Sequence, residues 1–135
     1  MKPTLIEDRW PIVVVRWPKD LTLDEVDGHF DDIKELAARG QRFVLVIDML
    51  ESGTPSATHR AHAAKRLAEI YPAVGHNVAG AAHVIGSALV RGILTAVYWL
   101  APPPFETTIV ATRQQAIEWA ERKLAAESAR REAKR

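Results

Sequence analysis

The sequence of 135 residues contains no cysteine. This excludes disulfide bonds, thiolate zinc sites, iron–sulfur clusters and cysteine nucleophiles. The N-terminal segment MKPTLIEDRWP has no apolar run, so no secretory signal is expected. The longest apolar stretch, residues 78–104, is interrupted by glycine, histidine and arginine, and is too broken to predict a membrane span. Together these absences favour a cytoplasmic protein without stable membrane insertion.

A strong excess of charge is also lacking, because the formal net charge is only +1. Residues 122–135 carry six basic and two acidic side chains, which is typical of a solvated helix end. The rest of the sequence has no basic patch, so no nucleic-acid partner is predicted. The length and the 47% hydrophobic content predict one domain over residues 1–124. Residues 125–135 are expected to form a basic tail that is helical or frayed.

The apolar pattern alternates between short β-branched runs and longer segments with helical periodicity. The run FVLVI at residues 43–47 is continuously apolar, as in a central strand buried on both faces. The order β-β-α-β-α-β-α-β-α predicts an α/β fold, with a mixed, mostly parallel five-stranded sheet and helices packed against it. The predicted strands cover residues 4–7, 12–17, 43–47, 78–85 and 107–111. The predicted helices begin after Thr22, near Ser56, after Ser87 and after Thr112, and the second ends or kinks between Ile70 and Gly75.

Three segments carry a resemblance to a known family: RFVLVIDM at residues 42–49, GAAHVIGSALVRGILTAVYWL at residues 80–100, and FETTIVATRQQAIEWAERKL at residues 105–124. With the order of elements over residues 4–124, they resemble the STAS superfamily, the fold of anti-sigma-factor antagonists. The likeness is greatest to its SpoIIAA-like branch, which is related in shape to CRAL-TRIO lipid-binding domains. The last helix of that branch carries a pattern like Ala-x-x-Trp-Leu, which residues 116–120 match except at the final position.

The resemblance implies a non-enzymatic module that acts in bacterial-type regulation or assembly by docking on itself or on a partner protein. In signalling STAS proteins, a Ser or Thr after the strand that ends in Asp or Asn is phosphorylated, typically within Asp-Ser-Ser-Gly. This sequence has GTPSAT at residues 53–58 instead. By position, Ser56 is the first candidate phosphosite and Thr58 the second. A serine at a helix start is also typical of a plain N-cap.

The segment ALVRGILTAVYWL predicts a helix that is apolar on more than one face. Either the fold encloses this helix, or part of it forms a patch that a partner covers. The second interpretation predicts a homodimer that buries this region. The candidate interface residues are Ile93, Leu94, Val97, Tyr98, Trp99, Leu100 and Phe105.

The relation to CRAL-TRIO-like domains implies an alternative function, a pocket for a small apolar molecule or lipid. A closed apolar cavity of a few hundred Å³ near residues 93–100 would indicate this function. A flat or convex surface covered by another chain would instead indicate docking.

The sequence contains no constellation that predicts catalysis. A Ser–His–acid hydrolase would need Ser52, Ser56 or Ser87 as its nucleophile, but no G-x-S-x-G elbow is present. No enzymatic activity and no cofactor are therefore predicted.

Two further clusters have an ordinary structural interpretation beside a functional one. His59 and His62 lie three residues apart on a predicted helix, but no third ligand is near them in the sequence, so no metal is predicted. Ser87 and Arg91 at a helix start form a candidate anion site, because free backbone amides there favour an anion. The alternative is a capped helix behind a tight turn. His83, in a predicted core strand, is expected to be buried and hydrogen-bonded.

Overall fold

A computed structural model describes residues 1–134. Strands and helices follow the predicted order, and we number them along the chain. The strands are β1 (Thr4–Arg9), β2 (Ile12–Arg16), β3 (Phe43–Asp48), β4 (Val78–Val84) and β5 (Glu106–Val110). The helices are α1 (Leu23–Ala37), α2 (Ala57–Val74), α3 (Ala88–Leu100) and α4 (Arg113–Ala133).

The five strands form one sheet in the order β1-β2-β3-β4-β5. Strands β1 and β2 pair antiparallel as a hairpin, whereas β2, β3, β4 and β5 run parallel. The predicted α/β class with a mixed, mostly parallel sheet is therefore confirmed.

Helices α1, α2 and α3 each connect two adjacent parallel strands, always stepping in the same direction across the sheet. Right-handed crossovers place such helices on one face. Accordingly, α1 contacts α2 and α2 contacts α3, whereas α4 contacts β3 and β4 from the opposite face. The apolar core therefore has two layers. Val13, Val15, Phe30, Leu45 and Val74 belong to the first layer, and Val14, Val46, Ala82, Ala116 and Ala120 to the second.

Strand β4 is buried along its whole length because it lies between β3 and β5 and is covered on both faces. Its Gly80 faces Trp119 of α4. A Cβ atom at Gly80 would stand 2.7 Å from Cη2 of Trp119 and 3.1 Å from the carbonyl oxygen of Glu106. The missing side chain therefore lets the indole ring pack directly on the strand.

The four helices begin at the predicted residues, where each N-cap side chain accepts a hydrogen bond from the backbone N–H three residues later. The end of α2 lies beyond Ile70, since the helix continues through Pro72 to Val74. Proline is tolerated there because it removes only one hydrogen bond near the helix end. At Gly75 the backbone N–H still donates to the carbonyl of Tyr71 at 2.8 Å.

Helix α4 runs on through most of the basic tail, as far as Ala133. The guanidinium of Arg42, just before β3, donates to both carboxylate oxygens of Glu127, with an Nε–Oε2 distance of 2.9 Å. This hydrogen bond lowers the pKa of Glu127 and raises that of Arg42. The pair ties the second half of α4 to the sheet. Residue 135 of the tail lies outside the described residues.

Candidate functional site

A cavity of about 310 Å³ lies at the carboxyl ends of β2, β3 and β4, beneath α1, α2 and α3. Ligands of other open α/β sheets also bind outside the carboxyl ends of the strands. Its walls are mainly apolar and come from all three helices and from β3. The wall residues are Val26, Phe30, Ile47, Met49, Ala63, Leu67, Val90, Ile93, Leu94 and Val97.

Two polar atoms among the lining residues are buried without a hydrogen-bond partner within residues 1–134. They are Nε1 of Trp17, just after β2, and Nδ1 of His29 on α1. Their rings meet edge to face, with centroids 5.0 Å apart. A buried polar group that lacks a partner costs about 1–3 kcal/mol. These two atoms are therefore unsatisfied hydrogen-bonding groups on residues that line a mainly apolar cavity.

A third polar feature of the cavity is satisfied internally. The hydroxyl of Tyr98 lies 2.7 Å from Nε2 of His83, and Nδ1 of His83 lies 3.4 Å from the carbonyl oxygen of Thr108. Because a carbonyl only accepts, Nδ1 carries the proton and the hydroxyl donates to Nε2. The prediction that His83 is buried and hydrogen-bonded is confirmed.

The lining carries no formal charge from its buried histidines at neutral pH. Burial lowers the pKa of both His29 and His83 to about 4. The negative charge of Asp32 partly opposes this shift at His29, and the hydrogen bond to the Thr108 carbonyl partly opposes it at His83. Burial also raises the pKa of Tyr98 above its ordinary value. All three rings are neutral near pH 7, so the cavity favours uncharged groups.

At the rim, the segment between β2 and α1 meets the loop before α2. The backbone N–H of Gly53 donates to the carbonyl of Lys19 at 3.0 Å, and a Cβ at Gly53 would stand 2.8 Å from that oxygen. Exposed Lys19 and Asp20 and half-buried Arg60 bring both signs of charge to the rim. The rim therefore has no strong preference for an anion or a cation.

Ser56 is also at the rim, exposed and at the N-cap of α2, where its Oγ accepts from the N–H of His59 at 3.1 Å. Nδ1 of His59 lies 2.7 Å from the same Oγ, and Nε2 lies 2.6 Å from the carbonyl oxygen of Leu21. Thr58 is exposed on the first turn of α2. Both hydroxyls are accessible, and phosphorylation of Ser56 or Thr58 stays a prediction.

The structure does not bring His59 and His62 to a common point. Nε2 of His62 lies 2.7 Å from Oδ1 of Asp27 on α1, whereas both ring nitrogens of His59 contact Ser56 and Leu21. Across residues 1–134, no three His, Asp or Glu side chains cluster in a way that would hold a metal ion.

The predicted interface residues of α3 lie on two different faces. Ile93, Leu94, Val97 and Tyr98 line the cavity, whereas Trp99 and Leu100 are 81% and 75% exposed. The fold thus encloses one side of the helix and leaves the other exposed. That a partner covers the exposed side stays a prediction. Phe105 is half-buried, and its ring meets that of Tyr71 edge to face.

Ser87 caps α3 by accepting from the N–H of Val90 at 3.3 Å, and both Ser87 and Arg91 are exposed. Ser87 therefore acts as an ordinary N-cap of α3. An anion at this helix start stays a prediction.

Sequence reasoning missed Trp17 and His29 as site residues. The signal for His29 was its place on the buried stripe of α1, between Val26 and Ile33. Trp17 directly follows a buried parallel strand, where clefts form. What the sequence could not show is that the two rings meet in one cavity.

Comparison with solved structures supports the assignment of the fold. The chain is similar to a crystal structure described as an uncharacterized protein from the DUF3478 family with a SpoIIAA-like fold, from Shewanella loihica PV-4. The TM-score is 0.63 and the identity 14%, with 87% of this chain and 91% of that chain covered. The fold is thus SpoIIAA-like, as the sequence resemblance implied.

No protein-family model and no curated protein matches the sequence. Among residues 1–134, no helix is both long and apolar enough to cross a membrane.

Proposed function

We propose that the protein binds a small, uncharged, mainly apolar molecule in the cavity beneath α1, α2 and α3. The observation that carries this proposal is the apolar cavity, two of whose lining residues hold unsatisfied polar atoms, Nε1 of Trp17 and Nδ1 of His29. Structural cavities of folded proteins are usually small and few, so a space of this size beside unpaired polar groups is typical of a binding site.

The size and chemistry of the cavity define the class of ligand. A dry cavity of ~150 Å³ holds benzene, and the cavity here is about twice that volume. A molecule of one or two rings, or a short branched chain, therefore fits. The indole N–H of Trp17 only donates, so the ligand should present an acceptor such as a carbonyl or hydroxyl oxygen.

Binding of 2-naphthol, a neutral two-ring molecule with one hydroxyl group, tests the proposal by calorimetry. Trp17→Phe keeps an aromatic ring but removes the donor, and should weaken binding about fivefold, as expected for a hydrogen bond of ~1 kcal/mol. Ala63→Phe places a ring in the cavity and should abolish binding.

Ala61→Phe is the matched control, because Ala61 lies on the same helix but is exposed. It should bind as the wild type does. The proposal is contradicted if Ala63→Phe and Ala61→Phe bind 2-naphthol with equal affinity. It is also contradicted if the wild type does not bind 2-naphthol and native mass spectrometry finds no small molecule that co-purifies with it.

A second candidate function is docking on a partner protein or on a second copy, in regulation or assembly. It is favoured by the exposed apolar side chains of α3, with Leu89 at 62%, Trp99 at 81% and Leu100 at 75% exposure. Large apolar side chains that share one exposed helix are typical of interaction surfaces. Sedimentation velocity of the wild type and of Trp99→Asp tests this function.

A further inference from the structure

The contact between Ser56 and His59 has the arrangement of a nucleophile and its base. The carbonyl oxygen of Leu21 only accepts, so the 2.6 Å contact fixes the proton of His59 on Nε2. Nδ1 is then a free lone pair, 2.7 Å from Oγ of Ser56. The serine hydroxyl must therefore donate to Nδ1.

A serine hydroxyl is a weak nucleophile until a neighbouring base takes its proton. The usual arrangement has three parts: a nucleophile, a base within hydrogen-bond distance, and a third group that orients the base. Here Leu21, 38 residues away in the chain from His59, supplies the orienting group. A neutral carbonyl stabilises an imidazolium less than a carboxylate does, so only modest activity is expected.

Ser56 also lies beside groups that can stabilise the negative charge that develops on the carbonyl oxygen of a substrate under attack. Ser56 is the N-cap of the 18-residue helix α2, and its Oγ accepts a hydrogen bond from the backbone N–H of His59. The first-turn amides of Ala57 and Thr58 have no acceptor inside the helix. Such amides, at the positive end of the helix dipole, stabilise an oxyanion.

Ser56 and His59 both line the cavity. An apolar acyl group held in the cavity therefore has Ser56 and His59 among its neighbours, and the proposal below places its carbonyl carbon beside Oγ of Ser56. This step rests on the proposed function, because the cavity must accept a ligand for the acyl group to be held there.

We propose that Ser56 and His59 cleave carboxylic esters with a small apolar acyl group. Oγ of Ser56 bonds to the carbonyl carbon while its proton passes to Nδ1 of His59. The carbon–oxygen bond to the alcohol then breaks, and the alcohol leaves with that proton. Water attacks the resulting acyl-serine, Nδ1 takes a proton from it, and Oγ leaves with the proton. The products are a carboxylic acid, an alcohol and the unmodified protein. This differs from the absence of enzymatic activity predicted from the sequence.

Hydrolysis of 4-nitrophenyl butyrate by the full chain tests this proposal. We expect a burst of nitrophenolate of about one equivalent per chain, and a butyryl group on Ser56 by mass spectrometry of the quenched protein. Ser56→Gly, which keeps a favourable N-cap, should abolish the burst. His59→Gln should slow acylation by ~10²-fold or more.

Ser87→Ala and His62→Gln are the matched controls. Ser87 caps α3 as Ser56 caps α2, and His62 lies one turn from His59 outside the cavity lining. Both controls should keep the burst and the rate of the wild type. Circular dichroism of each variant verifies that it is folded.

Binding of 2-naphthol to the same variants separates the two proposals. If the wild type binds 2-naphthol but shows neither burst nor acylation, the catalytic proposal is overturned and the binding function stands. The catalytic proposal is also overturned if folded Ser56→Gly hydrolyses the ester at the wild-type rate. If Ser56→Gly binds 2-naphthol normally but has lost the burst, both proposals are supported.

Discussion

Acidification is expected to destabilise this protein through its two buried histidines, His29 and His83. Burial lowers the pKa of each from 6.5 to about 4. Between these values the unfolded chain binds more protons than the folded chain, so the free energy of unfolding falls as the pH falls. From pH 7 to pH 5 the loss is about 2 kcal/mol per histidine, or about 4 kcal/mol for both. Domains have total stabilities of about 5–15 kcal/mol, so the effect is large.

Urea unfolding at a series of pH values measures this loss. His29→Phe keeps a ring between Trp17 and Phe30 but does not titrate, so the loss between pH 7 and pH 5 should fall by about half. His76→Gln changes an exposed histidine and should keep the wild-type loss. The reasoning is refuted if His29→Phe has the same pH dependence as the wild type.

Three further predictions concern the sheet, the exposed face of α3 and the end of α4. Gly80→Ala should lower the free energy of unfolding in the urea assay by about 1–3 kcal/mol, because the added Cβ meets Trp119. Gly92→Ala is the control, because a Cβ there meets nothing, and it should not destabilise the protein in the same assay. If the chain forms a homodimer through α3, Trp99→Asp should yield monomers in sedimentation velocity that keep the circular dichroism spectrum of the wild type. An unchanged dimer would place the interface elsewhere. Arg42→Gln should lower the free energy of unfolding by no more than about 1 kcal/mol and should speed amide hydrogen exchange in residues 121–133. Unchanged exchange in these residues would contradict the role of the Arg42–Glu127 pair in holding the end of α4.

The architecture was predictable because its signals are local. The continuous apolar run of β3 and the hydroxyl caps of the helices each depend on a few neighbouring residues. The end of α2 was less predictable, because Pro72 weakens a helix locally while packing of Val74 in the core extends it.

The candidate site was much less predictable, because it depends on contacts between distant segments. The apolar excess of α3 was visible in the sequence, but its division between cavity wall and exposed face was not. The i, i+3 spacing of Ser56 and His59 was visible as well. Only the fold brings the carbonyl of Leu21 to His59 and thereby fixes which ring nitrogen accepts.

The strand order has a consequence for how the protein emerges from the ribosome. Each new strand pairs with the one synthesised just before it, so the sheet grows from one edge as the chain lengthens. Three helices cover one face of the sheet during this growth. The opposite face, which includes Val14, Val46 and Ala82, stays uncovered until α4 has been synthesised. A nascent chain that has emerged only as far as β5 therefore presents a complete sheet with one apolar side in water. Exposed apolar surface makes such a chain prone to aggregate until α4 covers the sheet, and a chaperone would protect it during this interval.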